Sequence, residues 1–234
     1  MRNILLAIVF FCPVLTALNS SAGTWKRVDS ATLQFLGTIN SDEFDKFKKQ
    51  FDNNVRVLEV TSGGGDTQQA LMIAEQLEKV DLTIVVKTWC LSSCANYFFT
   101  AARTRIIEKG IVGFHGSISG CPPPAVQSYT DEQIKQMAEQ SHVTEDQARV
   151  ALKNYQLDFE QTWSNRELAF FKRRGVSPIL FKRTCTADKG MNDGKEYQFL
   201  LPTPSTFRKY GYTNISGEQD KETIEWQVGE WLLN

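Results

Sequence analysis

Three short segments carry the residue types that could do chemistry. The first is Cys90-Leu91-Ser92-Ser93-Cys94, which offers two hydroxyl nucleophiles between two thiols. The second is Gly113-Phe114-His115-Gly116-Ser117, where a histidine, the usual proton shuttle, sits among small neighbours that leave room for a substrate. The third is Ser62-Gly63-Gly64-Gly65, whose consecutive glycines leave backbone N–H groups unshielded, as an oxyanion hole or a phosphate cradle requires. Taken singly, each segment has an ordinary structural use: a tight turn, a helix cap, a hydrogen-bonded histidine. Their order along one chain points instead to a serine nucleophile, a histidine base and backbone donors for a developing oxyanion.

The elements around them would bring the three together. Residues 33–39 alternate and read as a strand with Leu33, Phe35 and Ile39 on one face. Ser41 is the expected N-cap of a helix carrying Phe44, Phe47 and Phe51. Residues 55–60 read as a strand that ends in the glycine segment, taken as a turn. A helix follows with Ala70, Leu71, Ile73, Ala74 and Leu77 on its apolar face, then a buried strand over 82–86. A short loop is expected at Trp89 and Cys90, with Ser92 and Ser93 at the N-terminus of a helix running to about Ala102. Residues 105–107 and 111–114 read as two strands paired across a turn at Lys109-Gly110. Strands alternating with helices imply right-handed crossovers and a largely parallel α/β sheet. In such a sheet, loops at the same ends of the strands line one crevice.

Beyond Cys121 the texture changes. Pro122-Pro123-Pro124 is a stiff break, and the sequence to about residue 190 reads as a helical insertion, with Thr144-x-x-Gln147 as a capping box. Phe170 and Phe171 are expected to pack these helices onto Phe98 and Phe99 of the core. Thr203-Pro204 begins a further helix that ends at Gly211. Residues 23–234 are expected to form one domain.

Composition narrows the function classes. Lys plus Arg is 26 against 27 for Asp plus Glu, so no basic excess advertises nucleic acid. The two histidines of the chain, His115 and His142, and the lack of any Cys-x-x-Cys argue against a metal site. Residues 1–22 read as a signal peptide: Arg2, an apolar run from Ile4 to Leu18 broken by Pro13, then Ser20 and Ala22 at the small positions of a cleavage site. The expectation is an exported protein, periplasmic or secreted, starting near Gly23 and with no membrane span after cleavage. Four of the five cysteines would remain, and an even count in an exported chain suggests two disulfides. Three connectivities are open; Cys90–Cys94 with Cys121–Cys185 is preferred because the first two are neighbours in sequence.

Residues 58–115 resemble the Clp-type serine peptidases of the crotonase-like superfamily, and more narrowly their exported bacterial relatives. Ser62-Gly63-Gly64-Gly65, Cys90-Leu91-Ser92-Ser93-Cys94-Ala95 and Gly113-Phe114-His115 stand in that family's order. The resemblance implies a crotonase-like ββα spiral core carrying the helical insertion at about 122–190. It implies Ser92 as nucleophile and His115 as general base. Gly65 and Ser93, with Gly64 as the close alternative to Gly65, would supply the oxyanion N–H groups. It implies peptide-bond hydrolysis through an acyl-enzyme on a peptide or unfolded protein, with no cofactor and no ATP use of its own, and a homo-oligomer of the kind the family's rings and trimers represent. The acid that orients the histidine is where the chain departs from the pattern: Phe199 falls at its place. Glu196 and Asp193 are the nearest substitutes, Asp158 and Glu160 the further ones. That departure supports the alternative of an inactive, peptide- or protein-binding member of the fold. Acyl-CoA chemistry, which related folds support, fits poorly with export.

Overall fold

The computed structural model describes residues 22–122, 128–186 and 199–220, the side chains of 183–186 excepted. Most of the expected leader therefore lies outside the described residues, as do Asp193 and Glu196. A seven-stranded sheet runs in the order β1 (Thr24–Arg27), β2 (Thr32–Ile39), β3 (Val57–Gly65), β4 (Thr83–Leu91), β5 (Thr104–Ile107), β7 (Ile215–Ser216), with β6 (Ile111–Gly113) also on β4. Among the described strands the β1–β2 pair is antiparallel and the others are parallel. Burial along β4 alternates at its start, where Ile84 and Val86 are buried on one face, and becomes continuous only at its end, Cys90 and Leu91, next to the serines. The expected face of β2 is also present: Leu33, Phe35 and Ile39 are buried, and Phe35 packs on Trp25 with ring centroids 4.5 Å apart.

Helix α2 (Thr67–Leu77) is capped by Asp66, whose Oδ1 accepts the N–H groups of Gln68 and Gln69 at 2.9 Å, and it buries the predicted face. A fully buried π-helix over Cys94–Phe99 follows β4. Helices α3 (Asp131–Ser141) and α4 (Glu145–Asp158) each open on a capping box, Thr130/Gln133 and Thr144/Gln147. A second π-helical segment (Phe159–Ser164) leads into α5 (Asn165–Arg174), then α6 (Ile179–Thr186) and α7 (Pro204–Lys209). Phe170 and Phe171 close onto the core, but their ring partner in the π-helix is Tyr97 and not the expected Phe98 and Phe99. Phe171 stacks on Tyr97 at 6.3 Å and on Phe181 at 4.2 Å, while Phe98 faces Trp25 and Phe35 and Phe99 faces Phe207 and Tyr212. Arg166 and Arg173 of α5 pair with Glu75 and Glu78, which ties the helical region to α2.

Four local expectations are corrected. Ser41 does not cap α1 (Glu43–Lys48); the residue before the helix is Asp42, and the first turn is held by the Glu43 carboxylate accepting the Asn40 N–H at 3.2 Å. Ser62–Gly65 is not a turn but the end of β3, with Gly64 opposite Thr38 and Gly65 opposite Ile39. Trp89 and Cys90 belong to β4, not to a loop. Strands β5 and β6 do not pair with each other; they lie in succession along β4, from Thr83 to Val86 and from Trp89 to Leu91. The last two corrections have one cause. A long β4 has room for two short parallel partners, so the turn at Lys109-Gly110 is a jog in one ladder and not a hairpin.

Candidate active site

Ser92, His115 and the glycine segment lie where β4, β6 and β3 end. Ser92 is the residue after β4 and has φ of 55°, a left-handed conformation that few non-glycine residues adopt. Such strain persists only where the surroundings over-determine it, and here they do. Ser92 N–H donates to Gly113 O at 2.9 Å, Asn96 N–H donates to Ser92 O at 2.8 Å, and Cys90 and Cys94 are joined in the expected disulfide around it. Gly64 closes the other side. Its φ is 91°, and a Cβ there would stand 2.6 Å from Ser92 Cβ. No side chain fits between β3 and the serine.

His115 follows β6 by one residue beyond Phe114, whose backbone pairs with Leu200. Its Nε2 stands 2.6 Å from Ser92 Oγ. The histidine is exposed and Ser92 is half-buried, so the pair is open to solvent. The loop beyond His115 is held from two directions. Asn96 Nδ2, in the π-helix, donates to Gly116 O at 2.6 Å. Glu167, fully buried on α5, accepts from Ser117 Oγ at 2.9 Å, Ile118 N–H at 3.1 Å, Ser119 N–H at 2.6 Å and the Ser119 hydroxyl. The same carboxylate accepts the Tyr97 hydroxyl at 2.5 Å. Burial, then the neighbouring Glu167 charge, push the Tyr97 phenol well above its ordinary pKa.

The sequence-predicted residues divide accordingly. Ser92, His115, Ser93, Gly64 and Gly65 are brought together. Of the two glycines, Gly64 already donates its N–H to Ser62 Oγ at 3.1 Å. Ser93 does more than present a backbone N–H: its Oγ donates to Gly65 O at 2.7 Å and fixes the two segments to each other. Phe199 stands edge-on to the His115 ring at 4.9 Å, in the place where the resemblance called for an acid. Asp158 and Glu160 are not joined to His115; they accept from Thr162 and Gln156 within their own helical run. Asp193 and Glu196 lie outside the described residues. Cys121 is disulfide-bonded, while the side chain of Cys185, its expected partner, lies outside them. Among the described residues there is no group of three or more His, Cys, Asp or Glu that could hold a metal, and no helix long and apolar enough to cross a membrane.

Glu167 is the residue that sequence reasoning missed. A glutamate in a polar helical stretch reads as solvated. The available signal was its place three and four residues before Phe170 and Phe171, on the buried face of α5. Beside the Ser92–His115 pair a small apolar cluster forms from Leu91, Ile111 and Leu201, with Trp89 and Phe199 packed on it half-buried. Trp89 thus packs at the edge of this cluster from within β4.

No protein-family model and no curated protein matches the chain. Solved structures do. It is similar to an enoyl-CoA hydratase from Bacillus anthracis at 10% identity, over 39% of this chain and 50% of that one, with a TM-score of 0.31. It is similar to an enoyl-CoA hydratase/isomerase from Marinobacter aquaeolei at 7% identity, over 87% and 72%, with a TM-score of 0.40. A methylmalonyl CoA decarboxylase matches at 10% identity, over 67% and 90%, with a TM-score of 0.31. The chain thus spans half the length of the first of these enzymes. Likenesses this distant bear at most on the arrangement of sheet and helices, not on what the chain binds.

Proposed function

We propose that this crotonase-like chain is an exported serine hydrolase that cleaves peptide bonds through an acyl-enzyme. The observation that carries the proposal is the 2.6 Å contact between Ser92 Oγ and His115 Nε2 on a serine held at φ 55°. In this reading His115 Nε2 takes the Ser92 proton as Oγ attacks the carbonyl carbon. The backbone N–H groups of Gly65 and Ser93 receive the oxyanion, a contribution typically of about 3–4 kcal/mol per donor. His115 then gives the proton to the departing amine, and water, deprotonated by the same nitrogen, releases the acid product. The apolar wall of Leu91, Trp89 and Phe199 favours a substrate side chain that is itself apolar. Asp193 and Glu196 remain the proposed sources of an orienting carboxylate.

The edge-on contact of Phe199 with His115 favours a second reading, a non-catalytic module that binds peptides in the same crevice. A fluorophosphonate probe separates the two. A hydrolase is labelled on Ser92, and Ser92→Ala removes the label along with cleavage of casein or short apolar peptides. A protein that binds those peptides yet takes no label, with the crevice open, is the binding module.

A further inference from the structure

We infer that the buried carboxylate of Glu43 is the docking site for a new α-ammonium group, the one Gly23 gains when the Ala22–Gly23 bond is cleaved. The inference rests on the export reading above and extends it to what processing does to the fold.

Glu43, at the first position of α1, is fully buried. Its Oε2 accepts the Asn40 N–H at 3.2 Å and stands 3.6 Å from Lys46 Nζ. Its Oε1 is buried with no hydrogen-bond partner. Buried polar atoms are nearly always satisfied, and an ionised carboxylate oxygen is among the costliest to leave bare. The chain beside it is Gly23, itself buried. A Cβ at Gly23 would stand 2.5 Å from Glu43 Oε2 and 2.7 Å from Cδ, so the backbone reaches this carboxylate only because the residue is glycine.

Cleavage changes the chemistry of that neighbour. In the precursor the Gly23 nitrogen is an amide with one hydrogen. When a signal peptidase adds water across the bond, the C–N bond breaks, Ala22 leaves as a carboxylate, and Gly23 becomes an amine that takes up a proton at neutral pH, the ordinary α-amino pKa being about 7.7–8. One donor becomes three, and a positive charge appears beside a buried carboxylate whose Oε2, the oxygen Gly23 approaches, already accepts the Asn40 N–H, and whose Oε1 is bare. The bridge that Ala22 makes to Thr38 is given up in the same event. The consequence reaches the crevice through one strand: Thr38 and Ile39 pair with Gly64 and Gly65, and Asp66 N–H donates to Ile39 O at 2.8 Å. Processing therefore changes the contacts at the strand end against which the oxyanion glycines lie, exchanging the Ala22 bridge at Thr38 for an ion pair at Glu43.

The test uses the full-length chain, expressed with its leader in an exporting bacterial host, beside Glu43→Gln and a precursor with one alanine inserted between Ala22 and Gly23. Mass spectrometry fixes each N-terminus. A water-soluble succinimidyl ester then reports amine reactivity, with exposed Lys48 as the internal control. Gly23 is expected to label about tenfold more slowly in the wild-type protein than in Glu43→Gln, the scale of one lost charge-assisted hydrogen bond. Should Glu43→Gln not fold, the inserted alanine carries the test, since it is expected to lower Tm and expose the new terminus to the ester. A wild-type chain that begins at Gly23 yet labels as fast as Glu43→Gln, and as fast as the terminus of the inserted-alanine protein, overturns the ion pair while leaving export intact. An exported-fraction protein that retains residues 1–22 overturns the processing reading and the pair together.

Discussion

The two halves of the candidate dyad are held in place by different means. Ser92 is fixed from nearby: by Gly113 O, by Gly64 packed on its Cβ, and by a disulfide between residues only four apart. His115 is exposed, and the loop that follows it is fixed from far away, by a carboxylate about fifty residues later on α5. The serine is built into the sheet. The histidine is positioned by the helical region, which therefore acts as part of the site and not as a separate appendage. This difference predicts different failures when each half is disturbed.

Removing either reacting group should give the largest effect. Ser92→Ala and His115→Ala are each expected to lower kcat by ~10⁴-fold or more, and the double variant little further, because the two act as one unit. Active-site titration and peptide turnover check this. Strictly multiplicative losses would mean that the 2.6 Å contact is not the working one.

Glu167 should come next, and it tests the comparison most directly. Glu167→Ala strips five donors of their acceptor: the hydroxyls of Tyr97, Ser117 and Ser119 and the N–H groups of Ile118 and Ser119. A loss of about 3–5 kcal/mol is expected, read from the urea midpoint. Glu167→Gln keeps the volume but turns an NH₂ toward donors, costing about 1–3 kcal/mol. In folded Glu167→Gln, kcat should fall more than KM rises, because the histidine drifts while the apolar wall stays. If kcat is unchanged, the helical region only covers the site.

The same contrast explains what could be read from the chain alone. Ser92, Ser93, Gly65 and the Cys90–Cys94 bridge were legible because their partners lie within a few residues or at the ends of recognisable strands. The apolar faces of β2 and α2 were legible from period alone. The pairing of β5 and β6 with β4 was not, since a Lys-Gly turn between two short apolar runs has the same local pattern whether the runs pair with each other or with a third strand. Glu167 was not legible as an anchor, because the loop it accepts from is remote in sequence and α5 is otherwise charged. Ser41 misled because Asp42 and the buried Glu43 next to it serve the helix start instead.

Opening the Cys90–Cys94 bridge should matter less than its position suggests. A loop this short removes little entropy from the unfolded chain, about 2 kcal/mol in the loop-closure account. Backbone bonds to Gly113 and Asn96 and the packing of Gly64 hold Ser92 independently. Cys90→Ala/Cys94→Ala is therefore expected to lower Tm by several degrees and kcat by less than about tenfold. A loss as large as that of Ser92→Ala would show that the local anchor is covalent and not the sheet itself.

The smallest expected effect appears only in alkali and comes from the remote anchor. In the folded protein the Tyr97 phenol is held neutral, burial raising its pKa first and the Glu167 charge second. In the unfolded chain it ionises near its ordinary value of about 10. Its contribution to stability is therefore fully present below pH ~10 and is lost as pH rises above that value, since only the unfolded state gains by releasing the proton. Tyr212, also buried and with its pKa raised, adds to the same limb, so the wild-type urea midpoint should decline steeply above pH ~10. Tyr97→Phe removes one donor to Glu167 at neutral pH, for a loss of about 1 kcal/mol, but it has no proton to lose. Its midpoint should fall less steeply in alkali, so that the gap from wild type narrows as pH rises. A gap that stays constant from pH 7 to pH 11 would mean that Tyr97 is reached by water, and that the bond from the π-helix to α5 does not help to hold the histidine loop.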